Sequence, residues 1–160
     1  LNLQKLLTKQ EAVLSLILTN ATLFRLGKSE KFSIFDTLAQ VENEDAQPVP
    51  IPSDPACLSS WITNLHSLYN QDPVRHYHTL SHITFMLHFH ATHCPWPSPA
   101  ADYASAMFAL FHDAIYDPLA KDNEAASAEL FVSFLADLSL VASPEDLFVE
   151  ACILDTATHS

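Results

Sequence analysis

Apolar residues recur at three- and four-residue steps along most of this chain, a spacing that places them on one face of an α-helix. It predicts a first helix, with apolar residues from Leu3 to Phe24, that ends at Gly27, the single glycine of the sequence. One short helix is predicted within residues 28–41, and the acidic, proline-rich residues 42–55 are typical of a linker. Because no alternating strand pattern and no internal repeat are visible, we predict an all-α fold.

Five further helices follow from the same spacing in the rest of the chain. They are predicted over residues 55 to about 71, from 76–79 to about 93, from about 101 to 113, from 123 to about 140, and from 144 to the end of the chain. Two of them carry the same start signal. Asp54 and Ser143 are expected N-caps, and Pro55 and Pro144 are expected at the first helical position.

The composition predicts one globular domain with an acidic surface. About half of the 160 residues are hydrophobic, which suits a single domain with a sizeable core. Seven Lys and Arg stand against nineteen Asp and Glu, which gives a formal net charge of −12. Such a surface repels nucleic-acid backbones and anionic lipid, so we expect neither a nucleic acid polymer nor a membrane as a partner. The oligomeric state is left open.

Cysteine and glycine usage excludes several classes of protein. Cys57, Cys94 and Cys152 form no C-x-x-C pair, and their odd number without a visible signal peptide predicts reduced thiols in a cytoplasmic protein. The most apolar run near the N-terminus, residues 12–18, is shorter than the ~20 residues that a membrane helix needs. One glycine is too few for a dinucleotide-binding fingerprint, a P-loop or a nucleophile elbow.

Histidines and carboxylates gather in the middle of the chain, where their donor types suit a divalent cation better than a packed core. On a helix, His78 and His82 would lie one turn apart on one face. His112 and Asp113 are predicted at the end of a helix, where two adjacent side chains can reach one ion. An acidic loop follows, with carboxylates at Asp117, Asp122 and Glu124. The sequence therefore predicts a metal site.

Other features of this stretch have simpler interpretations. The spacing of His78 and His82 is that of a zinc-protease helix, but Thr79 stands where the general-base Glu is needed, which argues against a zinc protease. Of the two cations after residue 31, Arg75 is predicted to hold a phosphate, whereas Lys121 fits a solvated surface charge at least as well. His76 is undecided. Ordinary core or surface positions are predicted for His66, His88, His90 and His93.

Taken together, these motifs resemble the HD superfamily of metal-dependent phosphohydrolases, an all-α group, and within it a branch of predicted HD phosphohydrolases. The matching segments are Arg75-His-Tyr-His-x-Leu-x-His82, Phe111-His-Asp-x-x-Tyr-Asp117, Asn123-Glu124 and Thr156-x-x-His159. The resemblance covers about residues 58–160. It implies an HD-type helical bundle over residues 56–160, preceded by an N-terminal helix and linker over residues 1–55, together forming one compact domain.

The resemblance also implies roles for individual residues. His82, His112 and Asp113 would be metal ligands, with Asp113 able to bridge to a second ion, and His78 would be the general acid. Further catalytic or substrate-binding candidates are Arg75, Asp117, Lys121, Asn123, Glu124 and His159. One or two divalent ions (Mn, Fe, Co, Zn or Mg) would lower the pKa of water to about 7, so that hydroxide attacks the phosphorus of a small phosphate ester or nucleotide.

The sequence departs from the family pattern at its C-terminal end. The family completes its first metal site with an aspartate on a later helix, expected downstream of His159, whereas this sequence stops at Ser160. Asp155 is a poor substitute because it precedes the expected place. A truncation, a trimmed form and a degenerate enzyme are therefore all open. Two other functions also stay open: a di-iron oxygenase on the same scaffold, with His159 as an extra ligand, and a non-catalytic binding domain.

Overall fold

The computed structural model describes residues 8–43, 52–71, 78–94 and 98–159, without the side chains of Asn43, Thr158 and His159. Within these ranges the chain is helical and contains no strand, which confirms the predicted all-α class. The α-helices are α1 Lys9–Arg25, α2 Ile34–Asn43, α3 Leu58–Tyr69, α4 Leu80–His93, α5 Pro99–Phe111, α6 Asn123–Asp137 and α7 Pro144–Asp155, followed by a short 3₁₀ helix, Thr156–His159. None of the helices in the described ranges is long and apolar enough to cross a membrane.

Side chains that cap the backbone explain where several helices begin. Ser143 accepts a hydrogen bond from the Asp146 N–H at 3.1 Å, and Asp146 in turn accepts one from the Ser143 N–H at 2.9 Å. This reciprocal pair satisfies two backbone donors at the start of α7, with Pro144 in the first turn, as the sequence predicts. At the end of α1, Gly27 has a φ of 76°, the left-handed conformation that glycine adopts without a steric cost.

The predicted start of α3 was wrong. The helix begins at Leu58 rather than Pro55, and no side chain caps its first turn. The Asp54 carboxylate pairs with Lys28 instead, and Pro55 accepts a hydrogen bond from the Leu58 N–H in the turn before the helix. The Asp54 carboxylate, predicted to cap α3, is therefore held in an ion pair with a residue distant in sequence.

Other boundaries also differ from the prediction. The helix α5 ends at Phe111 rather than Asp113, and α7 ends at Asp155, where a 3₁₀ helix follows, rather than continuing to the end of the chain. The helix α4 begins at Leu80, so His78 lies in the turn before it, and α6 ends at Asp137, two residues before the positive φ of Ser139. The helix α2 continues to Asn43, two residues into the predicted linker, of which residues 44–51 lie outside the described ranges.

The helix α5 lies at the centre of the bundle, where it packs against α1, α4, α6 and α7. Its last residue, Phe111, is fully buried among Trp61, Phe131 and Phe134, with ring centroids 5.2–6.3 Å away. About two turns further along α3 from Trp61, the buried hydroxyl of Tyr69 donates to the Leu110 carbonyl at 2.7 Å. These contacts fix the C-terminal end of α5, immediately before His112.

A buried polar network that the sequence did not reveal joins α1, α5 and α7. The Asp146 carboxylate is fully buried and accepts hydrogen bonds from Arg25 Nε at 3.0 Å and Nη2 at 2.7 Å. Its other oxygen accepts from the Tyr103 hydroxyl at 2.5 Å. Burial alone would raise the pKa of Asp146, but the hydrogen bonds from Arg25 and from the Ser143 N–H outweigh it and hold the pKa below its usual value.

Acidification is expected to remove part of the stability that this network provides. Because the pKa of Asp146 is lower in the folded chain than in the unfolded chain, the stabilisation is complete above the unfolded pKa and is lost as the pH falls through the folded pKa. The free energy of unfolding should therefore fall between about pH 5 and pH 2. Urea titrations across that range test this, and Asp146→Asn should give a flatter acid limb than the unmodified chain. Parallel acid limbs in the two proteins would contradict the assignment.

Candidate metal centre

The candidate site lies where the N-terminal end of α4 meets the C-terminal end of α5. His82 lies in the first turn of α4, while His112 and Asp113 directly follow the last residue of α5. One ligand atom from each of these side chains can be chosen so that all three lie within 4.8 Å of one another. The structure therefore brings together the three side chains that the resemblance implied as metal ligands, from segments about thirty residues apart in sequence.

The Asp113 carboxylate is the central acceptor of this cluster. Its Oδ2 atom lies 2.7 Å from Nδ1 of His78 and 3.1 Å from Nε2 of His112. Burial alone would raise the pKa of Asp113, but the hydrogen bonds and positive charge of His112 and His78 outweigh burial and lower it well below the usual range. Asp113 is therefore ionised at neutral pH, the form in which a carboxylate binds a metal.

Backbone contacts fix the orientation and tautomer of His112. Its Nδ1 atom lies 3.1 Å from the carbonyl oxygens of both Phe108 and Ala109, and carbonyl oxygens only accept hydrogen bonds. Nδ1 therefore carries a proton, and Nε2 faces the Asp113 carboxylate. A proton on Nε2 would form the hydrogen bond to Asp113, and a metal ion can take the place of that proton. This donor arrangement fits a metal ion, because backbone carbonyls commonly orient ligating histidines in this way.

His82 completes the cluster as a neutral ring. Burial lowers the pKa of His82, the positive charge of His112 lowers it further, and the opposing effect of Asp113 is smaller. Its ring centroid lies 6.0 Å from that of His112. A neutral imidazole is the protonation state that binds a metal, so His82 needs no proton loss near neutral pH.

His78 reaches the cluster by a different route from the one predicted. Since it precedes α4, the expectation that His78 and His82 share one helix face was wrong. The turn at residues 78–79 nevertheless carries His78 to Asp113, and its ring stacks on Tyr116 at a centroid distance of 4.3 Å. His78 is thus held from two sides beside the three candidate ligands.

The acidic loop has a local structural role in this structure. Asn123 accepts a hydrogen bond from the Asp117 N–H at 3.0 Å and donates one to the Asp117 carbonyl at 2.8 Å. The Asp117 carboxylate accepts from the Leu119 N–H at 2.9 Å. Lys121 is exposed in the same loop, and Glu124 is half-buried in the first turn of α6. None of these contacts joins the loop residues to the metal cluster among the described residues.

Two predicted site residues cannot be located relative to the cluster. Arg75 lies outside the described residues, as does His76. His159 ends the 3₁₀ helix after α7, but its side chain is not among those described. The roles implied for Arg75 and His159 therefore stay predictions.

Sequence reasoning missed two residues that support the site. Ser127, fully buried on α6, accepts from the Ile115 N–H at 3.0 Å and donates to the Ile115 carbonyl at 3.2 Å. It thereby ties the segment after Asp113 to α6. Phe108 stacks on His112 with 4.8 Å between ring centroids and 18° between ring planes. A small polar residue on the apolar face of α6 was the one signal that could have pointed to Ser127.

The histidines predicted to be ordinary lie outside the cluster. Nε2 of His66 lies 3.1 Å from both the Ser15 hydroxyl and the Glu11 carbonyl, so His66 connects α3 with α1. His90 contacts the buried Asp102 at 3.2 Å, while His88 and His93 are exposed on α4.

Comparisons with protein-family models, with curated proteins and with solved structures found no match for this chain. Its function must therefore be inferred from its own residues, chiefly from His82, His112 and Asp113.

Proposed function

We propose that this chain is a metal-dependent phosphohydrolase that acts on a small phosphate ester or nucleotide. The observation that supports this best is the convergence of His82, His112 and Asp113, with Asp113 ionised and the His112 ring oriented by a backbone carbonyl. Two imidazoles and one carboxylate form a donor set that suits zinc, iron, cobalt or manganese better than it suits magnesium. The motifs that contain these residues are also those that resemble the HD superfamily.

A bound divalent ion would supply an activated water nucleophile and positive charge for the phosphate oxygens. The residues of the chain contribute the rest of the proposed chemistry. Asp113 holds His78 by its Nδ1 atom, so a proton for the leaving oxygen would come from Nε2 of that ring. Tyr116 stacks on the same ring and fixes its plane. His78 is therefore proposed as the general acid, and Arg75 as the group that holds the phosphate.

The net charge of the chain supports a small substrate, and its free thiols support a reducing compartment. A net charge of −12 disfavours polymeric nucleic acid as a substrate, whereas a small phosphate can still be drawn to a bound cation. Cys57, Cys94 and Cys152 are free thiols, and we propose the cytoplasm as the compartment because it keeps thiols reduced.

Replacement of His78 by alanine is expected to slow turnover by about 10²- to 10⁴-fold while metal content stays unchanged, because a general acid acts on the leaving group and not on the ion. Steady-state kinetics on a panel of nucleotides and phosphate esters, with metal analysis of the same samples, provides the test. Tyr116→Phe is the matched control, since it keeps the stacked ring and should change turnover far less. Loss of metal from His78→Ala would make His78 a ligand instead, and unchanged turnover would refute its role as acid.

A further inference from the structure

A cavity of about 640 Å³ opens between α4, α5 and α7, away from the contacts that hold the metal cluster. This volume lies within the range of roughly 300–1,000 Å³ that is typical of small-molecule sites. Small side chains of α5, such as Ala104, form one wall and leave the space open. Larger apolar groups, Met86 from α4 and Phe148 from α7, form the other walls.

The cavity lies one helical turn from the candidate metal site along both α4 and α5. Met86 follows His82 by four residues on α4, and Phe108 precedes His112 by four residues on α5. Residues four apart share a helix face and are separated by about 6 Å along the axis. Both helices therefore present the cavity one turn from their metal-site residue, and the Phe108 ring that lines it also stacks on His112.

The groups that line the cavity indicate which part of a substrate it suits. No Lys or Arg of the described ranges lines it, and the acidic Glu145 does, which disfavours a phosphate in the cavity. Its other polar lining groups are His90, Ser105 and Cys152. Nε2 of His90 is 3.2 Å from the buried Asp102 carboxylate and carries the proton of that contact.

We propose that this cavity binds the neutral, largely apolar part of the phosphorylated substrate, an aryl or alkyl group, while the phosphate lies at His82, His112 and Asp113. This inference rests on the proposed function and adds the class of substrate. Most of the lining is apolar, so a nucleotide base would leave several of its polar atoms without a partner, and that loss disfavours nucleotides. The enzyme would thus prefer an aryl or alkyl phosphate.

Two measurements on the full chain test this inference. The first is fluorescence titration with 1-naphthol, which needs neither a metal nor turnover. Ala104→Phe, which fills the cavity, should weaken 1-naphthol binding by about tenfold or more, and Phe148→Ala, which removes one wall, should weaken it several-fold. Matched controls are Ala125→Phe, at an exposed alanine of α6, and Leu147→Ala, at an exposed residue of α7 that does not line the cavity. Both controls should bind 1-naphthol as the unmodified chain does.

The second measurement compares kcat/KM for 1-naphthyl phosphate and phenyl phosphate in the metal-loaded chain. The larger aryl group should be favoured about tenfold, and Phe148→Ala should reduce that ratio whereas Leu147→Ala should not. Absence of 1-naphthol binding, or equal binding by all the variants, would overturn the inference. Hydrolysis of both esters at equal rates would overturn it and leave the proposed function intact. Binding of 1-naphthol without hydrolysis of any ester would contradict the proposed function but support an apolar ligand for the cavity.

Discussion

Alanine at His112 or at Asp113 is expected to weaken divalent metal binding by more than about 100-fold. Mutation of a residue that only hydrogen-bonds to a metal ligand already lowers metal affinity by about 10- to 100-fold, and loss of the ligand itself should lower it further. His112→Ala removes the ring that two backbone carbonyls orient through its Nδ1 atom. Asp113→Ala removes the one carboxylate among the three candidate ligands and with it the anion that balances the charge of the ion. Cobalt titration followed by visible absorption measures both affinities.

His88→Ala provides the matched control for these variants. It removes an exposed imidazole from α4, the helix that carries His82, without touching the cluster. Its cobalt affinity should equal that of the unmodified chain, and circular dichroism should show that all the variants are folded. Unchanged cobalt affinity in both His112→Ala and Asp113→Ala would contradict the assignment of the site.

Replacement of Asp146 by alanine is expected to lower the free energy of unfolding by about 3–5 kcal/mol, the usual effect of removing one partner of a buried ion pair. The change leaves the Arg25 guanidinium and the Tyr103 hydroxyl without their shared acceptor, and only 18% of the Arg25 side chain is exposed. It also removes the side chain that caps the Ser143 N–H at the start of α7. Urea titration gives the change directly.

Two further variants separate the buried network from a general effect of charge. Glu129→Ala removes an exposed carboxylate from α6 and should change the free energy of unfolding by less than about 0.5 kcal/mol. The double variant of Arg25→Ala and Asp146→Ala should lose less stability than the sum of the two single variants, because each single variant already breaks the same contact. A loss below about 1 kcal/mol in Asp146→Ala would show that the network does not stabilise the bundle as described.

The helices were predictable where sequence spacing and the core agree. The buried residues of α3 and α7 repeat at helical spacing, and Ser143 with Pro144 marked the start of α7 correctly. The same signal failed at Asp54 because Lys28, distant in sequence, pairs with that carboxylate. A local start signal is reliable only when no tertiary partner competes for the capping side chain.

The candidate site was predictable in its membership but not in its geometry. The motifs named His82, His112 and Asp113, and the packing of α4 on α5 brings them together. The position of His78 before α4 depends on a turn that helical spacing does not describe. The Arg25–Asp146–Tyr103 network was not predictable at all, since its three side chains come from helices far apart in sequence.

The metal content of the purified chain tests the proposed metal centre most directly, measured by elemental analysis as isolated and after reloading with manganese, iron, cobalt or zinc. It requires no assumption about the substrate. We expect about one or two equivalents of at least one of these metals, and loss of that metal from His82→Ala and His112→Ala. Absence of bound metal under every loading condition would contradict the claim that His82, His112 and Asp113 form a metal centre.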